Sequence, residues 1–176
     1  PTESAVDAGR KDALLETVIS RAAGTSLEVY LAEHLFAPLG MNNTSGLSTP
    51  DDPETDGAGR ASGRMALTST ARDLSIFAQM LVNRGLYDHR RYVSHGTLAR
   101  LTGAGGPWTN QSKSDWTAGL SPSAFGHTAS NGSFIWIDPA RKSFFVMLVD
   151  GGPDRGRIAE FQSTIGELMV SALSVK

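Results

Sequence analysis

The chain has 176 residues, of which 40% are apolar and 19% charged, a composition typical of a globular protein and unlike a disordered one. It contains no cysteine, which excludes disulfides, thiolate metal sites and cysteine nucleophiles. Sixteen Lys and Arg residues against 18 Asp and Glu give a formal net charge of −2, which argues against a nucleic-acid binder.

The N-terminal segment is predicted to be helical. Apolar residues recur at helical spacing over residues 14–22, and Gly24 is typical of the position that follows a helix. The first 15 residues are polar and mixed in charge, unlike a signal peptide, so the cellular compartment stays open. The longest apolar runs, such as residues 144–149, are far shorter than the ~20 residues that span a bilayer.

A second helix is predicted to begin at a capping box formed by Thr25 and Glu28. Pro38 and Gly40 are expected to end it, because the residue before a proline is driven out of helical geometry. The apolar residues expected to face inward are Leu27, Tyr30, Leu31 and Leu35.

Residues 42–63 show no hydrophobic period and are predicted to form a long irregular loop, a type of segment that is usually functional or mobile. Residues 52–57 resemble the start of a calcium loop, with oxygen ligands at alternate positions. However, Gly63 occupies the twelfth position, where a bidentate Glu belongs, and Pro53 stiffens the beginning. We therefore interpret the run as a solvated acidic loop.

The third predicted helix has the clearest pattern in the chain. Thr70 and Asp73 are expected to cap it, and Gly85 is expected at its C′ position. Its apolar stripe consists of Leu74, Phe77, Ala78, Leu81 and Val82. A short fourth helix is predicted over residues 97–101, before the loop at residues 103–106.

After Pro107 the pattern changes from helices to strands. Candidate strands cover residues 116–120, 125–128, 133–137 and 143–149, and the last two are joined by a turn with Pro139 at its second position. An amphipathic helix over residues 158–172 is expected to cover the sheet. Helices followed by a hairpin and a helix predict an α+β fold with an antiparallel sheet.

The four histidines do not predict a metal centre, because no two have metal-ligand spacing. His34 is interpreted as a partly buried or rim residue, and His89, among charged neighbours, as a surface residue. No metal and no cofactor are expected.

Residues 125–132 form the candidate site. From spacing alone, an ordinary strand end followed by a turn is favoured. Alternatively, His127 and Thr128 bind a carboxylate or polarise a carbonyl at a strand edge, and the backbone N–H groups that follow hold an oxyanion. Ser130 lies in a near match to a nucleophile elbow, but the run leads into a strand and not into the required helix. A hydrolase using Ser130 as its nucleophile is therefore the least favoured reading.

Three segments together resemble the serine β-lactamase-like family, which includes class C β-lactamases, DD-peptidases and family VIII esterases. AAGTSLEVYLAEHLFAPLGMNNT resembles the stretch after the family's second motif. SGRMALTSTARDLSIFAQMLVNRG is similar to its glycine-rich turn and following helix. FGHTASNGSFIWIDPARKSFFVMLVDG resembles its third motif, K/H-T-G, and the hairpin after it. The segments follow the family's order and cover nearly all of the chain.

The resemblance implies specific roles. His127 and Thr128 match the first two residues of the third motif and would bind the substrate carboxylate or assist proton transfer. Ala129 occupies the glycine position, and Ser130 matches the residue whose backbone N–H completes the oxyanion hole. Histidine in place of lysine makes the charge at position 127 depend on pH.

Two motifs of the family are missing from the chain. No lysine has a serine three residues before it, so the S-x-x-K nucleophile motif is absent. The place expected for Y-x-N holds residues 7–9, which contain no tyrosine. The resemblance thus implies the C-terminal part of a β-lactamase-like domain without its nucleophile or base. Residues 1–106 would be mostly helical and residues 107–176 would hold the antiparallel strands and last helix, together forming one incomplete domain.

The expected partners follow from this reading. The substrate would be a β-lactam, a D-Ala-D-Ala peptide or an ester, taken only when an N-terminal half completes the site. A sheet without its N-terminal strands exposes an edge, which dimerisation or strand exchange would cover. The alternative function is a non-catalytic carboxylate-binding or interaction module on the same scaffold.

Overall fold

The computed structural model describes residues 5–46, 67–103, 119–129, 132–149 and 155–174. They form helices and two small antiparallel sheets, in agreement with the predicted α+β class. The chain divides into two compact units, Pro1–Asp73 and Leu74–Lys176. The predicted organisation into residues 1–106 and 107–176 stays a prediction.

The first unit begins with two helices. α1 (Ala5–Ala23) ends where predicted, since Gly24 follows with φ +70°. α2 (Leu27–Leu31) is capped by Ser26, whose side chain accepts a hydrogen bond from Val29 N. The prediction of Thr25 as the cap is therefore wrong by one residue.

The second helix does not stop at Pro38. A π-helical segment (Ala32–Phe36) leads directly into α3 (Ala37–Leu39), and Pro38 lies in the first turn of α3, where a backbone N–H is not required. Gly40 ends the helix with φ +77°, as predicted. Its N–H bonds Ala37 O at 3.0 Å and Met41 N–H bonds Phe36 O at 2.9 Å, which is the Schellman arrangement.

A buried carboxylate organises the rest of the first unit. Asp73 is 1% exposed, and its Oδ2 accepts hydrogen bonds from Asn43 N at 2.7 Å and Thr44 Oγ1 at 2.9 Å. An antiparallel bridge joins Ser45 to Thr68. These bonds join the described segments on either side of residues 47–66. Residues 47–66, which include the acidic run at 52–57, lie outside the described residues.

α4 (Ala71–Val82) begins as predicted, because Thr70 Oγ1 accepts a hydrogen bond from Asp73 N at 3.2 Å. Its end differs by one residue from the prediction. Arg84, with φ +55°, occupies the left-handed C′ position, and Gly85 follows and bonds Met80 O at 2.9 Å. Gly85 is still required, since a Cβ there would lie 2.1 Å from Val93 O.

The second unit contains a small hairpin that the sequence did not predict. β1 (Leu86–Tyr87) and β2 (Arg90–Arg91) pair antiparallel. Asp88 and His89 connect them with φ +45° and +59°, the signs that a two-residue type I′ turn requires. α5 (His95–Thr102) follows, capped by Ser94, and begins two residues before its predicted start.

The larger sheet has the order β3–β4–β5, with β3 (Phe125–Thr128), β4 (Phe134–Asp138) and β5 (Ser143–Met147) antiparallel. In the β4–β5 connection Lys142 N bonds Pro139 O at 3.3 Å, so the backbone turn closes one residue later than predicted. Of the candidate strand 116–120, only Gly119 and Leu120 are described, and neither lies in a strand.

α6 (Arg155–Ser174) covers one face of this sheet, as predicted. The core there contains Leu120, Ala124, Phe134, Trp136 and Phe145, with Met147, Met169, Val170 and Leu173 packed against it. No helix in the described ranges is both long and apolar enough to cross a membrane.

Candidate functional site

The candidate site lies on β3, at one edge of the sheet. β3 pairs with β4 along its whole length, and no other described strand pairs with its opposite side. Phe125 and Gly126 are buried, whereas His127 and Thr128 are exposed. The last two residues of the strand therefore present their side chains to solvent at an open sheet edge.

Gly126 allows this arrangement. It lies opposite Trp136, which is 1% exposed. A Cβ at position 126 would lie 2.7 Å from the Trp136 ring and 2.2 Å from Ile135 O. The indole is thus packed directly against the glycine backbone, which fixes β3 against the core immediately before the two exposed residues.

His127 and Thr128 point to opposite faces of the strand, because successive residues of a strand alternate. By register His127 lies opposite Ile135 and Thr128 opposite Phe134. Both side chains are exposed, and neither bonds to a residue in the described ranges. Around an edge strand, side chains from both faces and the outward backbone groups can contact one ligand.

Two backbone hydrogen bonds join the described residues on either side of positions 130 and 131. Ala129 N donates to Ser133 O at 2.7 Å, and Gly132 N donates to Ala129 O at 3.0 Å. Gly132 is buried and has φ +92°, a conformation that favours glycine. Ser130, the predicted oxyanion-hole residue, lies outside the described residues.

Gln162 on α6 contributes to the site and was missed by sequence reasoning. Its Nε2 donates a hydrogen bond to Gly132 O, thirty residues earlier in the chain. This bond ties the turn after the candidate site to the helix that covers the sheet. The sequence signal that could have identified Gln162 is its polar side chain on the inward side of an amphipathic helix.

A second polar cluster lies at the other end of β4. Asp138 is fully buried and accepts hydrogen bonds from Ser121 N at 2.9 Å, from the Ser121 hydroxyl and from Arg141 Nη1 at 2.9 Å. Burial raises the pKa of this carboxyl, but the bonds from Ser121 and Arg141 outweigh that effect and hold it below its ordinary value. Arg141 also donates to Gly119 O at 2.9 Å. The cluster fixes the segment before β3.

A cleft of about 530 Å³ opens near this far end of the sheet and does not include the candidate site. Four of its lining residues have positive φ, namely Arg84, Asp88, His89 and Lys142. The remaining lining residues are Val82, Asn83, Leu86, Tyr87 and Pro139. The lining combines three basic side chains and one acidic side chain with apolar ones.

The other histidines occupy separate places. His34 is exposed, stacks on Tyr30 with ring centroids 4.4 Å apart, and forms a 3.0 Å bond between its Nδ1 and Tyr30 O. His89 is exposed in the hairpin turn, as expected for a surface residue. Within the described ranges, no three His, Asp or Glu side chains converge on a point that would hold a metal ion.

Comparison with known proteins gives a family match. The family model described as Beta-lactamase matches residues 11–163. No curated protein matches the chain.

Solved structures show the same fold. A beta-lactamase from Mycobacterium bovis aligns over 95% of this chain with 23% identity and a TM-score of 0.71. Simvastatin synthase from Aspergillus terreus aligns over 89% with 12% identity and a TM-score of 0.59. A penicillin-binding protein homologue from Caulobacter crescentus aligns over 86% with 18% identity and a TM-score of 0.55. The chain spans 64%, 52% and 56% of these three structures, less than two thirds of each.

Proposed function

Because this chain belongs to the β-lactamase family, we propose that it is the C-terminal portion of a serine hydrolase that works by acyl transfer. In this proposal the chain supplies one wall of the active site, formed by β3, and the nucleophile lies on polypeptide outside this sequence. The chain alone is then inactive. The partial coverage of all three solved structures supports this division.

The proposal rests on one observation. The serine and lysine of the nucleophile motif are absent from a chain that the family model matches over most of its length. The residues three positions before the lysines are Ala8, Asn110, Pro139 and Leu173. The residues two positions after the tyrosines are Ala32, His89 and Ser94. The printed sequence therefore contains neither S-x-x-K nor Y-x-N.

The reaction in the completed site is a two-step acyl transfer. A serine hydroxyl, deprotonated by a neighbouring base, attacks the substrate carbonyl, and the bond from the carbonyl carbon to the leaving nitrogen or oxygen breaks as that atom takes up the proton. In a peptide or an ester the leaving group departs, whereas in a β-lactam the ring opens and the amine stays attached. Water then cleaves the acyl-serine ester and restores the hydroxyl. The tetrahedral intermediate of each step carries an oxyanion, which needs preorganised N–H donors.

In this scheme the residues at the end of β3 bind the substrate. His127 and Thr128 hydrogen-bond its carboxylate, and their exposure at an open strand edge supports that role. The Ser130 N–H is proposed as one oxyanion donor. Ala129, in the family's glycine position, adds a methyl group beside the strand and narrows the range of substrates.

The substrate class is a β-lactam, a D-Ala-D-Ala peptide or a small ester. All three present a carbonyl for attack, and the first two also carry a carboxylate of the kind that His127 and Thr128 would bind. No cofactor or metal takes part in the proposed steps.

The test measures hydrolysis of a chromogenic cephalosporin and of p-nitrophenyl acetate. The full chain is assayed alone and after mixing with the portion of the Mycobacterium bovis protein that this chain does not cover. We expect no turnover and no acyl adduct by intact mass with the chain alone, and hydrolysis after mixing. His127→Ala should reduce hydrolysis of the cephalosporin, which carries a carboxylate, at least tenfold, whereas the exposed control His89→Ala should retain it.

Two results would contradict the proposal. A stoichiometric adduct on a serine of the isolated chain would show that it carries its own nucleophile. The second result has two parts: a β-lactam with a carboxylate binds the chain, and no mixture that contains a Ser-x-x-Lys segment hydrolyses it. This result would favour the non-catalytic binding module.

A further inference from the structure

The side of α6 that faces the sheet carries one polar residue among small and apolar ones. Gln162, Gly166, Met169 and Leu173 recur at positions i, i+4, i+7 and i+11, which places them on one side of the helix. Met169 and Leu173 pack against the core of the sheet, and Gly166 is buried. Gln162 is half-buried at the beginning of this series, so its amide group needs a hydrogen-bond partner there.

That partner is the carbonyl group of Gly132, a residue of the β3–β4 connection (residues 129–133). Gln162 Nε2 donates to Gly132 O, and Gly132 is itself buried. A carbonyl oxygen only accepts, so the NH₂ group of the side-chain amide is the part that can form this bond. Because a buried carbonyl is costly to leave unpaired, the bond holds the Gly132 peptide toward α6.

The other bonds of the β3–β4 connection come from the sheet and not from the helix. Ala129 N donates to Ser133 O at 2.7 Å, and Gly132 N donates to Ala129 O at 3.0 Å. Ser133 Oγ accepts a hydrogen bond from Val149 N, just after β5, at 2.9 Å. Gln162 therefore adds a tie from the helix layer to a backbone segment that is otherwise bonded within the sheet layer.

The β3–β4 connection includes Ser130, whose N–H is the proposed oxyanion donor. Such a donor is effective only when it is oriented before negative charge develops on the substrate. We propose that Gln162 is a positioning residue for this donor: it contacts no substrate and acts by holding the backbone of the connection through Gly132. This inference rests on the proposed function.

A positioning role for the oxyanion donor differs in its consequences from carboxylate binding. His127 and Thr128 are proposed to bind a carboxylate, which only some substrates carry. An oxyanion develops on the carbonyl of every substrate in acyl transfer. Loss of the Gln162 donor should therefore slow the hydrolysis of every substrate, whether or not it has a carboxylate.

Three substitutions separate hydrogen bonding from packing. Gln162→Met keeps the length and the helix propensity of the side chain but has no donor. Gln162→Lys is also unbranched and keeps a donor at similar reach, so it should rescue the function that Gln162→Met loses. Gln79→Met is the matched control, because Gln79 Nε2 also donates a hydrogen bond, to Asn83 Oδ1 at 3.3 Å, but not to the β3–β4 connection.

Amide hydrogen exchange, followed by NMR on the full chain alone, is the first measurement. Gln162→Met should accelerate exchange of the Ala129 and Gly132 amides about tenfold relative to the amides of β4. Gln162→Lys and Gln79→Met should leave these rates close to those of the wild type. Unchanged exchange in Gln162→Met would overturn the proposal, with no catalytic activity required for that conclusion.

Hydrolysis by the mixture with the uncovered portion of the Mycobacterium bovis protein is the second measurement. Gln162→Met should lower kcat/KM about tenfold for both the cephalosporin and p-nitrophenyl acetate, and Gln162→Lys should restore most of it. His127→Ala should affect the cephalosporin alone. A loss confined to the cephalosporin, or a Gln162→Lys variant no better than Gln162→Met, would overturn the proposal.

The two measurements distinguish failure of this inference from failure of the proposed function. A wild-type mixture that hydrolyses neither substrate would contradict the proposed function, and the catalytic role of Gln162 would fall with it. The exchange rates would still decide whether Gln162 holds the β3–β4 connection.

Discussion

Asp138 and the pair His127 and Thr128 show opposite uses of polar residues in one sheet. Asp138 is buried and fully hydrogen-bonded, so it stabilises structure. His127 and Thr128 are exposed at a strand end and have no partner among the described residues. At the scale of single residues, this contrast separates the structural carboxylate from the candidate ligand-binding groups.

Asp138 should make the stability of the fold depend on pH. Its folded-state pKa lies below the ordinary value of 3.8, so the ionised form contributes stability above that value. The contribution is lost as the pH falls through the lower folded pKa. We expect Asp138→Asn to lower the free energy of unfolding by roughly 1–3 kcal/mol at pH 7, and by less at pH 3.

Urea unfolding at the two pH values measures this effect. Asp88→Asn, at an exposed turn position, serves as the control and should change little at either pH. An equal loss for Asp138→Asn at pH 7 and pH 3 would show that the charge of Asp138 plays no part.

The sequence identified His127 and Thr128 as candidates because their pattern is local. It missed Gln162, because the Gly132 carbonyl that it binds lies thirty residues away and nothing in the spacing connects them. Residues joined only by tertiary packing are beyond a reading of local patterns.

At the scale of elements, the capped helix starts and the helix ends were predicted to within a residue or two, since caps depend on neighbouring residues. By contrast, α1 and α6 begin nine and three residues before their predicted spans. Ser26 displaced Thr25 as a cap because two adjacent hydroxyls satisfy the same rule. The hairpin at residues 86–91 was missed because its turn contains Asp-His and not the usual Asn-Gly. The φ angles of Asp88 and His89 are those of a hairpin turn, but these two residue types do not predict one.

The same turn gives a stability prediction. His89 has φ +59°, a conformation that costs a residue with a Cβ about 1–2 kcal/mol, and glycine relieves this strain at a smaller entropic cost. We expect His89→Gly to raise the free energy of unfolding by about 0.5–1 kcal/mol.

Denaturant titration of purified variants measures the difference. His95→Gly places the same substitution in the first turn of α5 and should lower stability instead. If both variants lose stability, the left-handed backbone at position 89 stores no relievable strain.

At the scale of the whole molecule, the α+β class and the family were predicted correctly, because three separated segments supported one reading. The exposure of Phe161 and Leu168 on α6 was not predicted, since amphipathic spacing alone does not show which apolar residues of a helix contact the sheet.

The bond between Gln162 and Gly132 has a consequence for mutational studies of the proposed substrate-binding residues on β3. A change in the orientation of α6 would be transmitted through one amide to the backbone that follows His127 and Thr128. Substitutions remote from any bound molecule would then alter affinity, and their effects would be non-additive with those at positions 129–132. Epistasis in a mutational scan would thus report a mechanical linkage and not a second contact with substrate.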